Sequence, residues 1–132
     1  MLMPSVSRFM TYEARCVSPD DSLATVRELM TQYGIRHVPV RDGETLVGII
    51  HERDISIVLS VPGARLEQIT AKSVANPATY VWSDTPLNEV AELMTSTKCD
   101  AVVVRGGQGI EGIFTSTDAL RALRDVLKRA AV

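Results

Sequence analysis

Two carboxylates stand at the same place in a sequence repeat, each where an apolar strand-like segment gives way to a helical pattern. Asp118 closes the stretch TSTD, and Asp54 closes the stretch HERD. A carboxylate can accept two O–H bonds from a diol such as ribose, and a helix N-terminus attracts phosphate through its free N–H groups. Asp118 also suits a structural role, because an aspartate at a helix start caps those N–H groups. From the residues alone, both interpretations of Asp118 stay open.

The carboxylates belong to two copies of one pattern, 64 positions apart, with Val17 in the first copy matching Val81 in the second. Val, Asp, Leu, Val, Glu, Leu, Met and Thr recur in register, and the match continues without a gap through Gly48 and Gly112. Each copy predicts an extended segment, an amphipathic helix, a two-stranded hairpin and a second helix. One such unit has too little core to be stable alone, so we expect the two copies to pack together.

Local signals predict where the first helix of each copy begins and ends. The polar residues at 20–21 and at 83–84 are the candidate N-caps. Gly34 is predicted to end the helix of the first copy, because glycine adopts positive φ without strain. Lys98 stands at that position in the second copy, which is therefore predicted to end its helix differently.

The remaining elements follow from periodicity and turn residues. Strands are predicted at residues 38–41, 46–50, 101–104 and 110–114. The glycine-rich run 106–109 is interpreted as a hairpin turn, because it lies between two strands rather than before a helix, where a phosphate-binding loop would stand. Helices are predicted over 66–74 and over 120–131.

Composition excludes several classes. A net charge of −2 and a pI of about 5.6 provide no basic field for nucleic acid. No apolar run reaches the roughly 18 residues of a membrane span, and the start is not a signal peptide, so the cytoplasm is the expected location. Cys16 and Cys99 make no disulfide framework or zinc set, and with two histidines no metal site is expected. The motifs contain neither a nucleophile with its base nor a pair of carboxylates, so the protein is not expected to be an enzyme.

The repeated pattern resembles the CBS domain, named for cystathionine β-synthase, over nearly the whole chain. Residues 9–11 resemble the segment that leads into such a domain. The most specific stretches are IRHVPV at 35–40, LVGII with HERD at 46–54, and GIFTSTD at 112–118.

The resemblance implies an α/β (α+β) fold of two stacked β-α-β-β-α units related by a pseudo-twofold axis. Residues 7–59 would form the first unit, 60–73 a linker with a short helix, and 74–132 the second unit with a C-terminal helix. Members commonly bind AMP, ADP, ATP or S-adenosylmethionine in two clefts between the units, require no cofactor, and commonly form homodimers. With no catalytic or transport domain in the chain, the module is expected to regulate a separate, unidentified protein.

Transferred residue by residue, the resemblance implies two ligand sites. The first comprises Asp118 for the ribose, Thr115, Thr11, Arg15 and Ile35. The second comprises Asp54 for the ribose, Arg36, His51, Thr79 and Cys99. Two positions depart from the family pattern: Asp100 lies on the phosphate side of the first site and repels an anion, and His51 replaces a hydroxyl in the second. Arg36 lies where family members often place a basic residue that contacts the phosphate.

Two functions are therefore expected. The first is a regulatory module that senses an adenosine ligand. The alternative is a dimeric protein-interaction adaptor with empty or vestigial clefts, which the departures at Asp100 and His51 favour. A nucleic-acid module is a third hypothesis, opposed by the acidic pI. The apolar faces of the helices that begin at Leu23 and Leu87 would permit the dimer.

Overall fold

The computed structural model describes residues 2–12 and 14–131 of the 132-residue chain. Its strands are β1 (Thr11–Tyr12), β2 (His37–Asp42), β3 (Thr45–His51), β4 (Tyr80–Trp82), β5 (Ala101–Gly106) and β6 (Gly109–Thr115). Its helices are α1 (Leu23–Tyr33), α2 (Glu52–Leu59), α3 (Ala71–Val74), α4 (Leu87–Thr97) and α5 (Ser116–Ala130), and 3₁₀ turns cover Val6–Arg8 and Leu66–Gln68. This confirms the predicted mixed α and β fold. Within the described ranges, no helix has the length and apolar character needed to cross a membrane.

The chain divides into two compact units. The central unit is Arg15–Ala78, and the terminal unit joins Met1–Ala14 to Thr79–Val132. The segment ahead of the first repeat copy is therefore part of the unit that contains the second copy. It is joined there by β1, which pairs antiparallel with β6 and places Thr11 opposite Ile113.

The terminal unit is built on a four-stranded sheet in the order β1-β6-β5-β4. β4 runs parallel to β5, and the other pairs are antiparallel. Apolar residues that alternate along β5 and β6 fill one face, where Phe114 is 1% exposed. The buried core comprises Val6, Met10, Val81, Val90, Met94, Val102, Val104 and Phe114.

The central unit is built on the antiparallel pair β2–β3. Single bridges extend this pair on each side, from Val17 to Val40 and from Ile49 to Asn76. α1 and α2 pack their apolar stripes against it. The buried core comprises Val17, Leu23, Val26, Met30, Val38, Val40, Ile50, Ile55, Leu66 and Ala71.

The predicted hairpin turns are correct in both units. Asp42 pairs with Thr45 and Gly106 pairs with Gly109, so each hairpin closes through a two-residue loop. Gly109 has φ of 97°, a conformation that favours glycine. The run that could be mistaken for a phosphate-binding loop is therefore a turn between strands.

The predicted N-caps were wrong, and at Asp21 the reason is a competing bond. The Asp21 carboxylate accepts the N–H of Ser18 at 2.8 Å and closes a turn before the helix. Ser22 caps α1 instead, accepting the N–H of Thr25 at 3.2 Å. In the second copy the N-cap is Pro86, which offers no side-chain acceptor.

The single helix predicted over 66–74 is interrupted. Ile69 is extended, and its C=O accepts the N–H of Leu23 at 2.9 Å. Thr70 also forms a bridge with Ser22. Pairing with the residues at the start of α1 thus replaces helical bonds at this point, and α3 begins only at Ala71.

The helix faces expected to permit a dimer are used inside each unit. Leu23, Val26 and Val90 are fully buried, so those faces form the cores. Four of the exposed apolar residues lie together on α5 instead. They are Leu120, Leu123, Val126 and Leu127, with exposed fractions between 43% and 66%.

The expectation that the second helix ends differently was also wrong. Lys98 adopts φ of 54° and ψ of 39°, close to the 62° and 36° of Gly34. Each residue donates its N–H to the C=O of the residue four positions earlier: Lys98 to Met94, and Gly34 to Met30. A side chain in this left-handed conformation costs about 1–2 kcal/mol.

Replacing Lys98 with glycine is therefore expected to stabilise the protein. Relief of the left-handed strain exceeds the added entropy of the unfolded chain, and the net gain is about 0.5–1 kcal/mol. The melting temperature should rise by about 2–4 °C. Lys128→Gly is the matched control, because Lys128 lies in the last turn of α5 with a helical backbone, so glycine relieves no strain there and should not raise the melting temperature. A Lys98→Gly protein that melts lower than the parent would contradict this account of the helix end.

Candidate functional site

Each unit contains one strand-to-helix junction that carries a carboxylate. In the terminal unit β6 ends at Thr115, which is the N-cap of α5, and Asp118 is the third helical residue. The carboxylate accepts the backbone N–H of Thr115 at 2.9 Å and its hydroxyl at 3.2 Å. Thr115 Oγ1 in turn accepts the N–H of Asp118 at 3.4 Å, and this reciprocal capping box explains why a hydroxyl three residues before an aspartate starts the helix here. The N-cap is thus Thr115, and Asp118 completes the box.

Asp118 is the one charged side chain that is fully buried in the described part of the chain, at 3% exposed. A buried charge is costly unless it is paired and hydrogen-bonded. Here the hydroxyl of Thr11 donates to its oxygens at 3.1 and 3.4 Å, and Arg121 Nη1 donates at 3.0 Å. The predicted residues Thr11, Thr115 and Asp118 are therefore brought together within the terminal unit.

The central unit repeats this arrangement with other side chains. His51 is the N-cap of α2, and Asp54 accepts its N–H at 2.8 Å. The ring of His51 replaces the hydroxyl, because its Nδ1 accepts the N–H of Arg53 at 2.9 Å. Since Nδ1 is an acceptor, the neutral ring carries its proton on Nε2. Asn76 Nδ2 donates to the half-buried Asp54 at 3.1 Å, as Thr11 does to Asp118.

Sequence reasoning missed two of these contacts. Arg121 lies three residues after Asp118 on α5, a spacing that brings two helix side chains together, so its pairing was predictable. Asn76 was harder to find. The repeat offset takes Thr11 to position 75, one residue short of Asn76, so the register alone does not identify it.

The two junctions differ in the charge beside the helix start. The N–H of Glu52 donates to the C=O of Arg36 at 2.8 Å, and the N–H of Ser116 donates to the C=O of Asp100 at 2.9 Å. Arg36 and Asp100 therefore occupy equivalent places, and both are exposed. The central junction carries a cation at this place, and the terminal junction carries an anion.

Four other predicted residues lie elsewhere in their units. In the central unit Arg15 stacks on the ring of Tyr33, with its guanidinium carbon 4.1 Å from the centroid, and Ile35 is partly buried. In the terminal unit the C=O of Thr79 bonds to β5, and the hydroxyl of Thr97 donates to Cys99 Sγ at 3.2 Å.

Two further side chains bear on the chemistry of the central unit. His37 and His51 are directly opposite on β2 and β3, with ring centroids 4.6 Å apart in an edge-to-face arrangement. Burial raises the pKa of the Cys16 thiol, an effect that Arg41 partly offsets. Cys16 therefore stays protonated near neutral pH, whereas a reactive cysteine needs its thiolate.

The family model described as CBS domain matches residues 6–60 and again residues 69–125. This confirms the tandem architecture predicted from the repeat. Among curated proteins, the A-adding tRNA nucleotidyltransferase of Geobacter sulfurreducens is 27% identical over 112 residues. That match covers 83% of this chain and 12% of the relative, so the chain spans about an eighth of the relative's length.

Solved structures share the fold over almost the full chain. A Vibrio cholerae protein described as AcuB is 26% identical with a TM-score of 0.85, covering 96% of this chain and 95% of that one. CBSX2, solved in complex with AMP, is 24% identical with a TM-score of 0.79, covering 93% and 98%. At that identity the likeness to CBSX2 shows the fold.

Proposed function

This chain belongs to the CBS domain family, and we propose that it is a regulatory module that binds an adenosine nucleotide or adenosyl ligand and signals to a separate partner protein. The observation that carries the proposal is the buried carboxylate of Asp118, held at a helix start beside the hydroxyls of Thr115 and Thr11. A ribose diol offers O–H donors of the same kind. The binding of AMP by CBSX2, a protein of this fold, supports the choice of ligand class.

Binding at Asp118 works by exchange of donors. A carboxylate has about four lone-pair sites, and the four donors on Asp118 already occupy them. The hydroxyl of Thr11 is the donor most readily replaced, because Thr11 is exposed and donates at 3.1 and 3.4 Å. A ribose that takes its place breaks the side-chain hydrogen bond from Thr11 of β1 to Asp118 of α5. The state of the leading segment then depends on the ligand, which is how occupancy reaches a partner.

The phosphate side distinguishes the two junctions. Arg36 stands beside the start of α2, where free N–H groups also favour an anion. Asp100 stands at the equivalent place beside α5 and repels one. We therefore expect AMP, ADP or ATP to prefer the junction at Asp54, and a ligand with less negative charge to prefer the junction at Asp118.

Removing the charge of Arg36 should weaken AMP more than adenosine. An exposed charge contributes modestly, so Arg36→Ala should weaken AMP binding roughly 2–5-fold, with Asp100→Asn strengthening it by a similar factor. Calorimetric titration with AMP and with adenosine measures both. Arg27→Ala, an exposed arginine on α1, is the matched control and should change neither. Equal effects on AMP and adenosine would contradict a phosphate contact.

We also propose that the module forms a homodimer through α5. The exposed residues Leu120, Leu123 and Leu127 follow helical spacing, and a groove of about 410 Å³ lies along them. Exposed apolar stripes of this kind mark interaction sites, because a second copy that covers the stripe removes apolar surface from water and so stabilises the dimer. Sedimentation equilibrium should give twice the mass of one chain, and Leu123→Glu should give a single-chain mass. A single-chain mass for the unaltered protein would reject the dimer.

A protein-interaction adaptor is the second candidate. The observation that favours it is the same full set of donors on Asp118, because a carboxylate satisfied by its own protein has less to gain from a ligand. The two candidates differ in whether added nucleotide changes the partner's affinity. An adaptor binds its partner equally with and without AMP.

A further inference from the structure

We propose that the outer edge of β4 in the terminal unit, together with Tyr80, Trp82 and Arg105, is a docking site for an extended, acidic segment of a partner protein. The segment would add as a further strand. In the described part of the terminal unit none of its residues bonds to Asp118, so the site does not depend on ligand binding at that carboxylate.

The free hydrogen-bonding groups are those of the β4 backbone. β4 is the last strand in the order β1-β6-β5-β4, so one of its sides has no strand neighbour. The ladder to β5 uses the C=O of Thr79 at 2.9 Å and the N–H of Ser83 at 2.8 Å. Backbone groups of successive residues in a strand point in opposite directions. The four N–H and C=O groups of Tyr80 and Trp82 therefore point to the outer edge.

Three of those four outward groups have no partner in the described part of the chain. The C=O of Trp82 accepts the N–H of Thr85 at 2.9 Å. The N–H and C=O of Tyr80 and the N–H of Trp82 remain, a donor, acceptor and donor in line. An extended peptide supplies the complementary series, which is the basis of strand addition at a sheet edge.

The side chains beside this edge are of the types that dominate protein interfaces. Tyr80 and Trp82 lie two residues apart on one face of β4, 46% and 52% exposed, with ring centroids 6.0 Å apart. The guanidinium carbon of Arg105 lies 5.1 Å from the Tyr80 centroid and 5.8 Å from that of Trp82. Tryptophan, tyrosine and arginine are the residues most enriched at binding hot spots.

The charge of Arg105 indicates what the segment carries. Contact with the two rings holds the guanidinium in place. Its Nε is buried with no hydrogen-bond partner, which costs free energy. No ion pair of Arg105 is found among residues 2–12 and 14–131. A carboxylate on the incoming segment would pair with this cation, and an arginine–carboxylate bond is among the stronger ones.

A phage-displayed library of random dodecapeptides tests the proposal on the full chain. Selected peptides should share a Glu or Asp flanked by strand-forming residues. By fluorescence anisotropy of the labelled peptides, Trp82→Ala and Arg105→Gln should each weaken binding at least about tenfold. Arg105→Glu should reverse the preference from Glu to Lys in the peptide. Tyr12→Ala, an exposed aromatic on the opposite edge strand β1, is the matched control and should leave the affinity within about twofold.

Amide hydrogen exchange separates strand addition from a side-chain contact alone. Bound peptide should slow exchange at Tyr80 and Trp82 and leave Val81 unchanged, because the Val81 N–H already faces β5. The proposal is overturned if no peptide is selected, if the selected peptides ignore Trp82→Ala and Arg105→Gln, or if the Tyr80 and Trp82 amides exchange at the same rate with peptide bound.

Discussion

Replacing Asp118 with asparagine is expected to weaken adenosine-ligand binding at the terminal junction roughly 10–100-fold. A hydrogen bond to a charged group contributes about 1.5–3 kcal/mol, and each 1.4 kcal/mol is tenfold in affinity. Asparagine keeps one carbonyl oxygen to accept the N–H of Thr115, so the start of α5 is retained. The ribose meets an amide that can accept fewer O–H donors and carries no charge. Calorimetric titration with AMP and with S-adenosylmethionine measures the loss.

Matched variants show whether the effect belongs to the site. Asp54→Asn should produce the corresponding loss at the central junction and leave the terminal junction unchanged. Asp125→Asn removes a half-exposed carboxylate from the same helix as Asp118 and should change no ligand affinity. If Asp118→Asn folds normally and binds every adenosine ligand as tightly as the parent, Asp118 does not hold the ribose.

Replacing Gly112 with alanine is expected to destabilise the terminal unit by about 1–3 kcal/mol. A Cβ on Gly112 would lie 3.0 Å from the Met10 sulfur and closer still to the backbone C=O of Thr11. The backbone cannot move aside without disturbing the pairing of β1 with β6. Overpacking of this kind forces backbone shifts. β1 must move away from β6, and the hydroxyl of Thr11 moves away from Asp118 with it. Thermal denaturation measures the stability, with a fall of several degrees expected.

Gly107→Ala is the matched control, because a Cβ at Gly107 meets nothing within 4 Å. It should change the free energy of unfolding by less than about 0.5 kcal/mol. Gly48→Ala should repeat the Gly112 effect in the central unit, where a Cβ would lie 2.5 Å from the C=O of Asn76. Equal stability of the Gly112→Ala and Gly107→Ala proteins would contradict the close approach of β1 to β6.

Much of the fold was predictable because its signals are local. Short apolar runs bounded by turn residues predicted the hairpin strands, and the turns between them were identified from their position. Asp54 and Asp118 were expected where a strand gives way to a helix, and α2 and α5 begin two residues before them. Local signals also misled, as at Asp21, whose carboxylate is used in the turn before the helix.

The parts that could not be predicted depend on contacts distant in sequence. The bond from Thr11 to Asp118 joins residues 107 positions apart, and no periodicity indicates which strand edge receives the leading segment. Lys98 shows a second limit. The N–H groups of Lys98 and Cys99 both donate to the C=O of Met94, and these bonds accompany a left-handed backbone that the residue itself disfavours.

The candidate site was assigned from the family resemblance rather than from the residues alone, and it stays a prediction. A carboxylate at a helix start serves equally as a cap and as a ligand acceptor, and the structure places Asp118 in the capping role with all its acceptor sites occupied. Under the proposed function, the same bonds would fix the carboxylate in position before a ribose arrives.

Calorimetric titration of the folded, nucleotide-free chain with AMP, using GMP as the control, tests the central claim most directly. The account predicts saturable heat with AMP and binding at least about tenfold weaker with GMP, a difference of roughly 1.4 kcal/mol. S-adenosylmethionine and ATP titrated in the same way then rank the ligands. No binding heat from AMP, ADP, ATP or S-adenosylmethionine, on protein shown to be folded, would contradict the sensor and leave the adaptor.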